Sequence, residues 1–428
     1  MRILVIGRGG REHAIIWALK RSPAVKEVYC APGNAGIAEI AECVPIEEND
    51  FEALGQFAMD LAIDLVVVGP EDPLFNGVVD YFESKRIPVF GPRKDAAIIE
   101  GSKVFAKQLM KKYNIPTAAY ESFDRYEEAL AYVRRQGAPI VIKADGLAAG
   151  KGVTVAMTLE QAEQALRDIM VDKVFGEAGA RVVVEEYLQG QEMSILAFVD
   201  GHVVRPMVPA QDHKPVFDQD KGPNTGGMGT YSPVPHIPQS VVDDAVRTIL
   251  QPTADAMVSE GRSFRGVLYA GLMITPQGPK TIEFNCRFGD PETQVVLPRL
   301  KTDLVDILMA TVNGRLRDME ISWRDEAAVC VVLASGGYPG PYEKGKVIHG
   351  LKDVTSSLVF HAGTAQKDGA VVTNGGRVLG VTAIGRDLAE ARRVAYADVE
   401  RIRFEGMHYR KDIAEKAMKA AEHAEHKI

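Results

Sequence analysis

With 428 residues, 46% hydrophobic and 25% charged, the chain has the composition of a soluble protein of two to four domains with sizeable cores. Its net charge of −8 excludes a global basic footprint for nucleic acid, so an anionic ligand has to be held by a local cluster of cations. No apolar run reaches the length of a membrane span, and none of the nine histidines forms the HExxH pair of a zinc hydrolase. The four cysteines (Cys30, Cys43, Cys286, Cys330) lack ligand spacing and read as reduced core thiols of a cytoplasmic protein. Met1–Gly7 is too short and wrongly flanked for a signal peptide. Neither nucleic acid nor membrane is expected as a partner.

Short apolar runs at Ile3–Ile6, Glu27–Cys30, Asp64–Val68 and Pro88–Phe90 alternate with helical patterns, the arithmetic of βαβ units and a parallel sheet. Glycine- or proline-rich turns follow them, at 7–12, 31–34, 69–72 and 91–93. Ligands of open α/β sheets bind beyond the carboxyl ends of the strands, so these turns are expected to line one pocket. In the first, Gly9 and Gly10 permit close approach, and the following helix start is expected to offer free N–H groups to an anion. As a dinucleotide fingerprint the turn is defective: Glu12 replaces the third glycine, and Cys30-Ala31-Pro32 supplies no acid for a ribose hydroxyl. A phosphosugar or mononucleotide is the favoured guest, with a nicotinamide dinucleotide, or no ligand, as alternatives.

From about residue 100 a helix is expected over Ile98–Tyr113, carrying Lys103 and Lys107. A strand at Tyr120–Phe123, a helix over Asp124–Gln136 and strands at Pro139–Asp145 and Val153–Met157 follow. Between the last two lies a small-residue loop with Gly150, Lys151 and Gly152. It is no Walker motif, since three residues separate Gly146 from Gly150 and glycine follows the lysine. It reads as a flap over phosphates, with Lys143 reaching inward from the preceding strand; solvated, inert lysines are the plainer alternative. Thr158-Leu159-Glu160-Gln161 is a capping box opening a helix to about Met170.

The strand Ala180–Leu188 runs into a polar linker, 185–192, containing Glu185, Glu186, Leu188 and Glu192. Such a linker can give backbone groups to adenine and Glu192 to ribose hydroxyls, or be a plain hairpin before the strand Met193–Asp200. Residues 211–229 are polar and glycine-rich, with Asp212, Lys214, Asn224, Thr225, Gly226, Gly227 and Met228. This stretch is expected to be a mobile loop that orders over ligand.

After a helix over about Pro238–Glu260 and two strands, residues 281 to 288 alternate strictly between polar and apolar, the period of a half-buried strand. Glu283 and Asn285 then share a face roughly 6–7 Å apart. Both offer oxygen, as a hard cation such as Mg²⁺ requires, with substrate phosphate completing the shell. Arg287 continues the face with a fork suited to carboxylate or phosphate. An amphipathic edge strand with a solvated face is the bland alternative. Strands at Ala327–Ser335, Leu358–Gly363 and Val378–Ile384 and a helix from Asp387 to about Arg403 indicate a small α+β unit.

GGREHA at 9–14, APGN at 31–34, GPE at 69–71, IKADGLAAGKGV at 142–153, EEYL with GQE at 185–192, DHK at 212–214, GPNTGGMG at 222–229, EFNxRFGDPETQ at 283–294 and TNGGRV at 373–378 occur in one order over nearly the whole chain. Together they resemble the glycinamide ribonucleotide synthetase family of the ATP-grasp superfamily. The resemblance implies an α/β fold in three parts. Residues 1–100 would be a Rossmann-like, pre-ATP-grasp domain binding phosphoribosylamine, 101–325 an ATP-grasp domain with a lid subdomain at about 120–190, and 326–428 a small α+β domain walling the sugar-phosphate site.

It further implies ATP near Lys103, Lys143, Gly150, Lys151, Gly152, Glu185, Glu186, Leu188 and Glu192, with Mg²⁺ or Mn²⁺ at Glu283 and Asn285. Phosphoribosylamine falls to Gly9, Gly10, Arg11, Glu12, Asn34, Pro70 and Glu71, and a substrate loop to 224–228. Glycine's carboxylate would attack the γ-phosphate of ATP, and the amine of phosphoribosylamine would displace phosphate from glycyl phosphate, the second step of de novo purine synthesis. Arg287, Asp212 and Lys214 are the catalytic candidates, Arg287 at the γ-phosphate and the glycine carboxylate and Asp212 as partner of the glycine ammonium. A cytoplasmic monomer is expected. Two departures stand out: Pro215 follows DHK where the family often has arginine, and Val267–Leu272 carries no acid for a second ion. The rivals are another purine-pathway ATP-grasp ligase and a nicotinamide-dependent dehydrogenase.

Overall fold

The computed structural model describes residues 1–146 and 152–425. Its opening sheet contains β1 (Arg2–Gly7), β2 (Glu27–Pro32), β3 (Glu42–Cys43), β4 (Leu65–Val68) and β5 (Val89–Phe90), all parallel in the order β3-β2-β1-β4-β5. Central β1 is apolar from Ile3 to Ile6 because both its faces are covered: Leu4 and Ile6 enter one core, Ile3 and Val5 another. Strand order reverses about β1, which brings the turns after β1, β2 and β4 together, with Gly33 N–H donating to Gly7 O (3.0 Å) and Gly69 N–H to Ile6 O (3.0 Å).

The helix expected over Ile98–Tyr113 is two helices, Lys94–Gly101 and Lys103–Lys112. Ser102 is extended (φ −133°, ψ 114°), and its hydroxyl caps the second helix by accepting from Phe105 N–H (3.1 Å). Asp145 fixes the break by accepting from Val104 N–H (2.8 Å).

A four-stranded antiparallel sheet follows, β6 (Tyr120–Phe123), β7 (Ile140–Ala144), β8 (Val153–Ala156) and β9 (Val182–Glu186), in the order β6-β9-β7-β8. Helices Tyr126–Gln136 and Leu159–Leu166 cover one face and share with it a separate core around Ala129, Val133, Ile142 and Val184. β7 and β8 form the expected antiparallel pair; Gly150 and Lys151 between them lie outside the described residues.

The chain then contributes β10 (Gln191–Asp200), β11 (Val203–Pro206), β12 (Gln211–Asp212), β13 (Pro215–Phe217), β14 (Lys221–Asn224), β15 (Gly229–Ser232), β16 (Arg265–Thr275) and β17 (Gly278–Asn285). Strands β11-β10-β16-β17 make a second antiparallel sheet. The expected strand over 281–288 ends at Asn285, and a bulge opposite Gly271/Leu272 places Ile282 as the extra residue. Thr281 is consequently fully buried and does not share the face of Glu283 and Asn285.

Residues 211–229, expected as a mobile loop, are instead largely built into strands. The last sheet runs β12-β15-β18-β22-β19, taking β18 (Ala327–Ala334), β19 (Leu358–His361) and β22 (Arg377–Gly385) from the end of the chain and β12 and β15 from its middle. Strands β20 (Thr364–Lys367) and β21 (Ala370–Thr373) form a hairpin, as do β13 and β14. Buried Arg410 locks the latter hairpin through Pro215 O (3.1 Å), Asp220 Oδ1 (3.0 Å) and Asp412 Oδ2 (2.7 Å). That contact gives Pro215 a place: it opens β13 and its carbonyl accepts from the arginine. Among the described residues no helix is long and apolar enough to cross a membrane.

The opening and closing parts meet at His13 and His361. His13 Nδ1 accepts from His361 N–H (2.7 Å), and Asn34 Nδ2 donates to His361 O (2.8 Å). Burial lowers His13 to about 3 and His361 to about 4, so both are neutral when folded, whereas unfolded they titrate near 6.5. Between these values the unfolded chain binds more protons, so stability is full above pH 6.5 and falls as the pH drops toward 4, by up to about 1.4 kcal/mol per pH unit for each histidine. The melting temperature is expected to fall from pH 7 to pH 5, above the range of most carboxylates, and to fall less in His13→Asn, which can keep an acceptor for His361 N–H. A melting temperature constant over that interval contradicts this account.

Candidate active site

The sheet β6-β9-β7-β8 and the sheet of β17 approach each other through paired charges. Lys143 on β7 and Lys107 on the helix Lys103–Lys112 both meet Glu185 of β9, at 3.1 and 3.2 Å, and all three are buried. Lys143 Nζ also donates to Ile282 O (3.1 Å), the carbonyl of the bulge residue, and so ties β7 to β17. Lys107 donates to Thr117 Oγ1 (2.6 Å), and burial lowers it to about 8 against the opposing pull of Glu185. Lys103 Nζ reaches Ala144 O (3.1 Å) at the end of β7; burial lowers it, and Glu283 opposes that shift.

Glu185 thus faces two ammonium groups. The Glu186 carboxylate is turned to Ala119 N–H (2.9 Å) and Lys280 (3.7 Å). Leu188 lies in the linker after β9, and Glu192 is exposed at the start of β10, its carbonyl accepting from Gln211 Nε2 (2.5 Å). Gly152 is buried just before β8.

At the end of β17, Glu283, Asn285 and Arg287 leave the sheet on one side. Burial pushes the Glu283 carboxyl up, but Lys214, Lys143 and Lys103 outweigh it and hold it below the usual range, so it is an anion. The Asn285 amide is assigned, from its neighbours, with its nitrogen toward two acceptors, Glu100 Oε1 (3.2 Å) and Phe284 O (3.2 Å), because the opposite orientation would set its oxygen against both. Arg287 Nε lies between Glu71 Oε2 (3.2 Å) and Glu100 Oε1 (3.4 Å). Burial raises Glu100 to about 7 despite Arg287, while Glu71, burial notwithstanding, is held low by Arg287 and Arg11. Among the described residues no group of three or more His, Cys, Asp or Glu side chains converges as a cation cage. An ionised carboxylate and an amide oxygen on one strand face still suit a Mg²⁺ that takes its other ligands from phosphate and water.

Beside Glu283 lies a small cavity lined by Glu192, Ser194, Asp212, Lys214, Tyr269 and Gly271. Asp212 Oδ2 is buried with no hydrogen-bond partner, and Lys214 Nζ stands 3.8 Å from Glu283 Oε1. Tyr269 OH links Ser194 Oγ (2.8 Å) to Glu292 Oε1 (3.4 Å). Burial, then Asp212, push Glu292 up to about 8.

On the opening-sheet side the first turn differs from its expectation. Its N–H groups are not all free: Arg8 N–H (3.2 Å) and Gly9 N–H (2.9 Å) donate to Glu12 Oε1, while Glu12 Oε2 pairs with Arg11. The acid in place of the third glycine folds back over its own helix start and provides internally the anion that a pyrophosphate would supply, which removes the basis for nicotinamide dinucleotide binding there. A Cβ on Gly10 would lie 2.7 Å from Gln294 Nε2. Asn34 is likewise saturated, its Oδ1 accepting from Gly36 N–H (3.0 Å) and Ile37 N–H (3.0 Å). Pro70 precedes the short helix Glu71–Phe75, which aims Glu71 at Arg287.

The 224–228 segment meets these groups from the other side. Thr225 Oγ1 donates to Lys214 O (2.7 Å), Met228 is fully buried, Gly226 O accepts from Arg377 Nη1 (2.9 Å), and Asn224 is exposed at the end of β14. Gly227 has φ +123°, and a Cβ there would sit 2.6 Å from Pro291 Cδ, so only glycine fits. Arg377 Nη1 also donates to Asp290 O (3.1 Å), and Arg11 N–H to Asp290 Oδ2 (3.3 Å). Glu100, Tyr269, Glu292 and Arg377 are site residues that sequence reasoning did not single out. Glu292 and Arg377 had a signal in their places within the 283–294 and 373–378 motifs; Glu100 and Tyr269 enter through tertiary packing. The four cysteines are unpaired, and burial raises Cys330 to about 12, so no nucleophilic thiolate is at hand there.

Family models for phosphoribosylglycinamide synthetase match the chain in three successive parts: the N domain at residues 1–100, the ATP-grasp (A) domain at 101–293 and the C domain at 328–416. A phosphoribosylamine–glycine ligase of Caldanaerobacter subterraneus subsp. tengcongensis is 53% identical over 414 residues, 97% of this chain and 99% of that protein. One of Halalkalibacterium halodurans is 55% identical over 419 residues, 98% and 97% of the two chains. The crystal structure of a phosphoribosylamine–glycine ligase from Thermotoga maritima superposes with a TM-score of 0.85 at 38% identity, over 96% of this chain and all of that one.

Among the described residues, Glu185 is the carboxylate that pairs with both Lys107 and Lys143. Glu185→Ala leaves two buried ammonium groups uncompensated and is expected to cost about 3–5 kcal/mol of stability by urea denaturation. A loss below about 1 kcal/mol contradicts the pairing.

Proposed function

The chain belongs to the phosphoribosylglycinamide synthetase family of ATP-grasp enzymes, and from this premise we infer that it joins glycine to 5-phosphoribosylamine with ATP, forming glycinamide ribonucleotide, ADP and phosphate in purine biosynthesis. The observation that carries the reading is the meeting, at the end of β17, of an ionised carboxylate, an amide and an arginine with Lys143 of the opposite sheet and with Lys214.

Residues 1–100 are assigned to phosphoribosylamine, 101–325 to ATP, with the lid at about 120–190, and 326–428 to the wall of the sugar-phosphate site. The last assignment is supported by Arg377 and His361, which bond to both neighbouring parts. Unpaired cysteines accord with a cytoplasmic setting, and a monomer is the accompanying reading.

Joining a carboxylate to a polyphosphate is foremost a problem of anion repulsion, which fixed cations solve without reorganising. Lys103 and Lys143, with Lys151, are assigned to the ATP phosphates, and Arg287 to the γ-phosphate and the glycine carboxylate. Glu283 and Asn285 would hold Mg²⁺ or Mn²⁺, which as a Lewis acid supplies neutralisation of phosphate charge. Asp212, buried with a free oxygen beside Lys214, is assigned to the glycine ammonium. One carboxylate oxygen of glycine bonds to the γ-phosphorus as the bond to ADP breaks. The amine then adds to the glycyl carbonyl, loses a proton, and phosphate leaves with the oxygen that glycine supplied. No side-chain nucleophile takes part.

The reaction is tested with Mg-ATP and glycine, with and without phosphoribosylamine generated in place from ribose 5-phosphate and ammonia, and the products weighed by mass spectrometry. ADP and glycinamide ribonucleotide are expected only when both acceptor substrates are present. ADP formed with bicarbonate or another acid, and not with glycine, overturns the substrate assignment.

A further inference from the structure

Glu100 belongs to none of the roles assigned above, yet it lies beneath the reacting end of β17. It stands on the last turn of the helix Lys94–Gly101, with its side chain 7% exposed. One oxygen, Oε1, meets three consecutive residues: it accepts from Cys286 N–H (2.9 Å), faces the Asn285 amide nitrogen (3.2 Å) in the orientation assigned from that amide's neighbours, and forms an ion pair with Arg287 Nε (3.4 Å), whose hydrogen goes to Glu71. β17 has ended at Asn285, so no sheet partner fixes the chain beyond it. The bond to Cys286 N–H fixes the backbone there, and the contacts on either side, an amide bond and an ion pair, set two functional side chains. An acceptor on the Asn285 nitrogen determines which way round the amide sits and hence that its oxygen points away from Glu100.

We propose that Glu100 is a positioning residue, whose single carboxylate oxygen orients the Asn285 carbonyl toward the divalent ion and the Arg287 fork toward the transferred phosphoryl group. The proposal rests on the assignment of Asn285 and Arg287 made under Proposed function. A carboxylate that merely stopped a strand would need only the bond to Cys286 N–H; the two flanking contacts distinguish a positioning role. Glu71 grips Arg287 from the other side, so the guanidinium is held between two fixed points and loses less freedom when it meets phosphate.

The test measures Mn²⁺ binding by electron paramagnetic resonance in the presence of ADP, together with kcat and the KM for ATP, in Glu100→Ala, Glu100→Gln and Asn285→Ala. Glu100→Ala is expected to weaken Mn²⁺ binding and lower kcat by about tenfold each, with the KM for ATP within about twofold. Glu100→Gln, which keeps an acceptor oxygen, should restore Mn²⁺ affinity to within about twofold. Glu100→Asp, too short to reach, takes the place of the alanine variant if that does not fold, with the same losses expected. Normal Mn²⁺ affinity and kcat in Glu100→Ala, with only a lower melting temperature, overturn the proposal; so does equal impairment by Ala and Gln. If Asn285→Ala weakens Mn²⁺ binding and Glu100→Ala does not, Glu100 alone is misassigned. If neither does, the metal assignment falls and the proposal with it.

Discussion

The structure depends on compensating charge that has been taken out of water. Isolated ions in a protein interior cost several kcal/mol each, and they persist where opposite charges and hydrogen bonds surround them. Around β17 the charges alternate through space: Lys107, Glu185 and Lys143 on the lid side, Glu71, Arg287 and Glu100 at the strand end, Arg11, Asp290 and Arg377 toward the last sheet. Such a lattice fixes positions, because moving one member exposes the next. It is also poised for a polyanion, since cations already held in place are not first ordered by the ligand.

The covalent order of the chain conceals how the lattice is held. The last sheet begins with β12 and β15, drawn from between β11 and β16, so residues flanking Asp212 and Lys214 are paired indirectly with the C-terminal strands. Arg377 extends this coupling by bonding the carbonyls of Gly226 and Asp290 at once. The C-terminal part therefore acts on the site through backbone it anchors, and the opening part acts through Glu71 and Arg11. The charged residues around β17 are thus drawn from every region of the chain.

What was legible in the sequence follows from the range of the forces that encode it. β1 and β4 announced themselves because strands covered on both faces are apolar runs, and β3, with two residues, left no pattern. The alternation that marked Glu283, Asn285 and Arg287 survived because the bulge falls before Glu283; it misplaced Thr281, which lies before the bulge. Glu12 was noticed as a defect in a glycine pattern, but its function as a built-in cap requires the coordinates of its own carboxylate. The 211–229 stretch looked unstructured because the sheet that orders its end is completed by β18, about 100 residues away. Glu100 and Tyr269 gave no local signal at all, since a buried polar group is recognised by its partners.

The central claim is that a carboxylate is activated as an acyl phosphate at the end of β17, with the chain supplying position and charge and no covalent attachment. Glycine labelled with ¹⁸O in both carboxylate oxygens tests it most directly, with inorganic phosphate and the amide product weighed after a single turnover. The account predicts one ¹⁸O in the phosphate and one retained in the amide. Phosphate free of label would contradict it, because the oxygen lost from glycine would then have left by a path that does not pass through phosphorus.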